Sequence, residues 1–109
     1  MKQYCLALDL KDDPDLIAEY EAYHREVWPE VIESIRSSGI QKLDIFRWGN
    51  RLCMMLEADE NFTFEAKAAS DADNQKVQEW ETLMWNFQQS LPGTKAGEKW
   101  QLMNKIFEL

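Results

Sequence analysis

An α+β fold built on one antiparallel sheet is what three features of this sequence predict. Strand-type alternation opens and closes the chain, two apolar runs flank a Gly-Asn turn in the middle, and helical periodicity fills the intervals between. The opening run, Lys2 to Leu10, puts Tyr4, Leu6, Leu8 and Leu10 on one face and Cys5, Ala7 and Asp9 on the other. Next, "KDDPDL" supplies Asp13 as a helix cap and Pro14 for the first turn. Leu16, Ile17, Tyr20 and Tyr23 continue at helical spacing. Trp28-Pro29 interrupts it, because a residue before proline resists the helical region, and a second helix restarts at Pro29. Val31, Ile32 and Ile35 carry that helix to a cap at Gly39.

"IQKLDIFRW" is the second strand, "GN" at Gly49-Asn50 a hairpin turn, and "RLCMMLEAD" the third strand. That third strand is apolar on both sides, so it belongs in the middle of the sheet. "NFTFEAKAAS" reads as a short helix from near Asn61, and "NQKVQEWETLMWNFQQ" as a longer one. "SLPGTKAG" is a loop, and "EKWQLMNKIFEL" closes the chain as a last strand. The order β-α-β-β-α-β is the split βαβ, ferredoxin-like arrangement: four antiparallel strands with helices on one face, as a single domain over residues 1–109. Helices cover only one face, yet several strands are apolar on both. A second copy of the chain would cover the other face, so a homodimer is expected.

Composition narrows the function classes. The chain carries a net charge of −8, which disfavours nucleic acid and anionic membrane surfaces as partners. Cys5 and Cys53 sit apart in the sequence, and neither forms a zinc pattern with the lone histidine. They fit buried thiols in a reducing compartment, and the polar, short N-terminal run fits neither signal peptide nor membrane span, which points to the cytoplasm. No phosphate-loop, dinucleotide or nucleophile-elbow motif occurs, and no calcium-loop spacing.

The chemistry-bearing stretch is "YHREVWPEVIESIRSSG", which holds the single histidine, His24. Tyr20 lies four residues before it and Trp28 four after, so a helix puts phenol, imidazole and indole on one stripe. Hydroxyl donors and a flat apolar wall suit a sugar ring. The same spacing also fits two core aromatics beside a half-exposed histidine. Trp80 and Glu81 stand in the tryptophan-rich later helix, where Glu81 is either a sugar-binding carboxylate or the solvated neighbour of a core tryptophan.

The string Tyr20-x-x-x-His24-x-x-x-Trp28-Pro29-Glu30 resembles the signature of the L-rhamnose mutarotase family. The resemblance extends through Gly39, the hairpin, Ala69–Asp71, the helix around Trp80 and the terminal "IFEL". It implies a ferredoxin-like fold of the dimeric α/β-barrel type, joined through the sheets. It further implies interconversion of the α and β anomers of a 6-deoxy sugar, with His24 as catalytic acid/base, Tyr20 binding sugar and Trp80 in the pocket wall. Two positions depart from the rhamnose pattern: Leu43 stands where a tyrosine is expected, and Trp80-Glu81 replaces a Trp-Trp pair. "RWGNRLCMMLEAD" and "VQEWETLMW" are more similar to a branch associated with L-fucose. L-Fucose is therefore expected ahead of L-rhamnose.

Mutarotation needs one proton removed from the anomeric hydroxyl and one delivered to the ring oxygen, and it requires no metal or organic cofactor. Imidazole suits it, because both protonation states are populated near neutrality. The expectation is that protonated His24 serves the ring oxygen while Tyr20 holds a hydroxyl. Glu81, water and neutral His24 are all open as the base. A ferredoxin-like dimer with a lone histidine could instead bind haem or act as a monooxygenase, since fold does not fix function.

Overall fold

The computed structural model describes residues 1–95 and 97–109; Ala96, in the expected loop, lies outside the described residues. The first strand, β1, runs Lys2–Leu10, followed by α1 (Pro14–Arg25) and α2 (Pro29–Ser37). The hairpin strands β2 (Ile40–Trp48) and β3 (Arg51–Ala58) come next, then α3 (Phe64–Ala72) and α4 (Gln75–Met84). Two short strands, β4 (Gln88–Gln89) and β5 (Gln101–Leu102), complete the sheet.

The sheet order is β2-β3-β1, with β4 and β5 sharing the far edge of β1, and every pairing is antiparallel. This is the expected split βαβ arrangement, with five strands where four were expected, because the last strand position is filled by two separate pieces. The hairpin closes with Trp48 opposite Arg51, and Gly49 alone takes a positive φ of 60°, as the first residue of a two-residue turn of the II′ kind.

Alternation decides the two faces. Leu6, Leu8 and Leu10 of β1 pair across to Met54, Leu52 and β4, and they face the helices with Leu43, Ile45 and Leu56. Leu8 and Leu10 are wholly buried; each such side chain stabilises the fold by about 1.5–3 kcal/mol. One apolar cluster gathers Leu10, Tyr20, Val31, Leu52, Trp80, Met84 and Phe87, and a second gathers Leu6, Ile40, Leu56, Ala58 and Phe62. The opposite face is uncovered. It carries Phe46, Trp48 and Met55 at 58%, 88% and 51% exposure, and also Cys5 and Cys53. The register sets Ala7 against Cys53, which makes Cys5 its diagonal neighbour, and the two free sulfurs approach to 3.1 Å.

Three boundaries differ from the sequence reading. The α3 helix starts at Phe64 rather than near Asn61, because the Thr63 hydroxyl accepts from the Ala66 N–H and so caps it there. The α4 helix stops at Met84, although Phe87 continues its periodicity. The Phe87 N–H closes a turn onto the Met84 carbonyl at 2.9 Å, and the Lys11 N–H donates to the Phe87 carbonyl at 2.8 Å, so the open edge of β1 recruits the next residues as β4. The final strand is only Gln101–Leu102, extended by a bond from the Met103 N–H to the Cys5 carbonyl. Beyond it, Ile106, Phe107 and Leu109 are exposed.

Candidate active site

The α1 helix is the element that assembles the site. The Asp13 carboxylate accepts from the N–H groups of Asp15 and Leu16 at 2.9 and 3.1 Å and so fixes the start of the helix. The helix then presents Tyr20, Glu21, His24 and Arg25 to one cavity of about 410 Å³. Ile45 and Arg47 of β2 and Leu52 of β3 form its other walls. The site thus lies between α1 and the helix-facing side of the hairpin.

His24 is held by its own helix. Its Nδ1 lies 2.8 Å from the backbone carbonyl oxygen of Tyr20. A carbonyl can only accept, so Nδ1 carries the proton and, in the neutral ring, Nε2 keeps a free lone pair. Burial pushes the His24 pKa below its ordinary 6.5, because a half-buried site disfavours the imidazolium; the bond to the Tyr20 carbonyl opposes this more weakly. His24 therefore rests mostly neutral at pH 7, with Nε2 as a base.

Tyr20 stacks beside it, ring centroids 4.3 Å apart, and only 3% of its surface is exposed. Burial pushes the phenol up to about 12; the Gln88 side chain pulls the other way, and the charge of Glu81 adds to the rise. Tyr20 is thus a fixed hydroxyl that stays protonated. Gln88 stands opposite Leu10 on the helix-facing side, and its buried Oε1 has no hydrogen-bond partner among the described residues.

The other expected residues are close but differently placed. Trp80 is buried and backs the imidazole edge-on at 5.7 Å, so it supports His24 from the core and does not line the cavity. Trp28 packs edge-on against Trp80 at 5.2 Å and opens onto a second cavity, shared with Glu19, Ala22, Tyr23 and Glu26. The α1 helix ends at Arg25, so Trp28 no longer continues the stripe of Tyr20 and His24. Glu81 is held by Lys99, whose Nζ lies 2.6 Å from its Oε2. Leu43 packs against the second apolar cluster, and the β2 wall of the cavity is Ile45 and Arg47, two and four residues further along the same face.

Sequence reasoning missed Glu21, Arg47 and Gln88. Glu21 was legible in principle, since it lies three residues before His24 on the stripe that already contained Tyr20. Alternation with Leu43 and Ile45 puts Arg47 on the helix-facing side of β2, but that α1 lies over this end of the strand is shown only by the fold. Among the described residues, no group of three or more His, Cys, Asp or Glu side chains is gathered to hold a metal ion, and no helix is long and apolar enough to cross a membrane.

The chain as a whole is similar to several known proteins. A protein of Xanthomonas campestris pv. campestris described as an L-fucose mutarotase is 50% identical over the whole chain and 89% of its own length. A UPF0734 protein of Dictyostelium discoideum is 39% identical over 99% of this chain and 90% of its own. Among solved structures, an L-rhamnose mutarotase from Formosa agariphila matches all of the chain and 99% of its own, with a TM-score of 0.74 at 17% identity. The Tetracenomycin F2 cyclase of Streptomyces glaucescens matches with a TM-score of 0.65 at 14% identity, a likeness of fold alone. The sequence profile of the L-rhamnose mutarotase family matches residues 3–109, and the chain belongs to that family.

Proposed function

We propose that this protein is an aldose mutarotase that interconverts the anomers of a 6-deoxy-L-sugar, L-fucose ahead of L-rhamnose. The observation that carries the reading is His24: a neutral imidazole whose Nδ1–H is engaged by the Tyr20 carbonyl and whose ring lines a cavity next to a buried phenol. Family membership supports the reaction class, and it outweighs the haem-binding reading of the lone histidine. The preference for L-fucose is supported by the 50% identical relative of that description. The cavity volume of about 410 Å³ falls in the range of small-ligand sites, about 300–1,000 Å³.

The chemistry follows from the protonation states. His24 Nε2 takes the anomeric O1–H proton as the C1–O5 bond breaks. The same Nε2–H, or a water beside it, then protonates O5, which shares C1 with O1 and is therefore close at hand. The open aldehyde rotates about C1–C2, and the steps reverse on its other face. No proton is gained or lost overall. This order differs from the expectation of a protonated His24 at the start, because burial favours the neutral ring. Tyr20, with its pKa pushed up to about 12, is too weak an acid to surrender its proton and serves as a hydrogen-bond donor to a sugar oxygen. Trp80 positions the imidazole, and Glu81 acts from outside the cavity through its field on Tyr20.

The protein functions as a cytoplasmic homodimer in this reading. The uncovered face with Phe46, Trp48 and Met55 supports a second copy packed there, since exposed apolar patches of this kind mark association surfaces. The test of function is an NMR panel of 6-deoxy sugars and common hexoses, read by saturation transfer between anomeric signals. Fastest exchange is expected for L-fucose. Spontaneous rates for every sugar would refute the assignment.

A further inference from the structure

We infer that Glu21 and Arg47, which line the same cavity as His24, form a clamp for a vicinal pair of sugar hydroxyls; this deepens the mutarotase reading above and rests on it. The first observation is a broken pattern. The helix-facing side of β2 and β3 is otherwise apolar, through Leu43, Ile45, Leu52, Met54 and Leu56, and only Arg47 interrupts it, opposite Leu52. Residues that break a local rule cluster where function demands it. The break occurs at the cavity wall, since Arg47, Leu52 and His24 line the same space.

The second observation is how the guanidinium is held. Its Nε–H donates to Glu21 Oε1 at 2.5 Å, and Nη1 donates to the Gly49 carbonyl at 2.9 Å. One support comes from α1 and the other from the hairpin turn, so the plane is fixed by two elements at once. A guanidinium has five N–H donors. Three of them, including both on Nη2, have no partner among the described residues, and neither does Glu21 Oε2. As a stabilising contact this pair would contribute little, since partly exposed ion pairs are worth about 0–1 kcal/mol. As a binding element it is well matched. A sugar hydroxyl both donates and accepts, so one hydroxyl can donate to Glu21 Oε2 and accept from Arg47, while its neighbour accepts from the remaining N–H groups.

The clamp holds the ring carbons away from C1, so it grips the closed ring and the open chain alike and leaves C1 free to rotate. Such contact lowers KM and leaves kcat nearly unchanged. The test uses Arg47→Lys, which keeps the charge but loses the fork, and Glu21→Gln, which keeps volume but loses the carboxylate. Initial rates of anomer exchange are measured for L-fucose and for analogues each lacking one ring hydroxyl. On L-fucose both variants are expected to raise KM roughly ten- to hundredfold with kcat within about twofold. On the analogue lacking a gripped hydroxyl, the unmodified protein already shows the raised KM and the variants add little further. Unchanged KM, or the same loss on every analogue, overturns the clamp while leaving the mutarotase reading intact. Absence of acceleration by the unmodified protein overturns both. Circular dichroism melts confirm that both variants are folded before the rates are compared.

Discussion

Replacing His24 by alanine should stop catalysis without unfolding the protein, and both halves of that statement can be sized. A positioned acid/base supplies about 10²–10⁴ in rate, which corresponds to roughly 3–5 kcal/mol of barrier. The structural loss is smaller. His24 makes one hydrogen bond, to the Tyr20 carbonyl at 2.8 Å, and packs against Tyr20 and Trp80 with ring centroids at 4.3 and 5.7 Å. Tyr20 and Trp80 belong to the buried apolar cluster, but His24 itself does not, so the cluster keeps all its members when the imidazole is removed. The net hydrogen-bond contribution is about 1 kcal/mol, and the Tyr20 carbonyl still serves the helix ladder after the imidazole is gone. A loss near 1 kcal/mol lowers Tm by roughly 4–8 °C in a domain of about this size. The assays are a circular dichroism melt and saturation-transfer NMR on L-fucose, with the spontaneous rate subtracted. A folded His24→Ala protein that exchanges anomers at the original speed would refute the role given to the imidazole.

Three other outcomes are expected. Burial lowers the His24 pKa, so if the neutral ring does the first step as proposed, kcat/KM should stay flat from neutrality down past pH 6.5 and fall only at lower pH; a profile falling through 6.5 or above would contradict the buried, neutral ring. Gly39→Ala should destabilise by roughly 1–3 kcal/mol in a denaturant melt, since φ is +100° and a new Cβ would stand 2.7 Å from Asp59 Oδ2; an unchanged midpoint would show that this turn relaxes freely. Trp48→Lys, at a side chain 88% exposed, should shift analytical ultracentrifugation from dimer toward monomer, and an unchanged sedimentation profile would move the interface off this face.

The parts of the fold that were legible in the sequence are those where local chemistry and tertiary packing agree. The β1 strand has a clean period of two, Asp13-Pro14 starts a helix in any context, Trp28-Pro29 breaks one, and Gly49-Asn50 turns a hairpin. The illegible parts depend on a neighbour. The α4 pattern continues through Phe87 because that side chain is buried either way, whether on a helix or after a tight turn; only the open edge of β1 decides between them. The alternation of the C-terminal segment is real, but the sheet edge accepts just Gln101 and Leu102 of it. The site follows the same division. Helical spacing alone puts Tyr20 and His24 on one face, and the hairpin packed over that face makes the cavity they share, whereas Trp28 lies beyond the end of α1 and Trp80 sits behind the imidazole. Arg47 joins them through the packing of α1 over the hairpin, which a single sequence does not display.

The hydrogen bond from His24 to the Tyr20 carbonyl has an evolutionary corollary. In many enzymes the group that orients a histidine is another side chain, and one base change can delete it. Here the orienting atom belongs to the peptide backbone, so it persists whichever amino acid occupies position 20. Descendants of this sequence could therefore exchange the phenol, and with it the sugar they prefer, while inheriting the imidazole's tautomer intact.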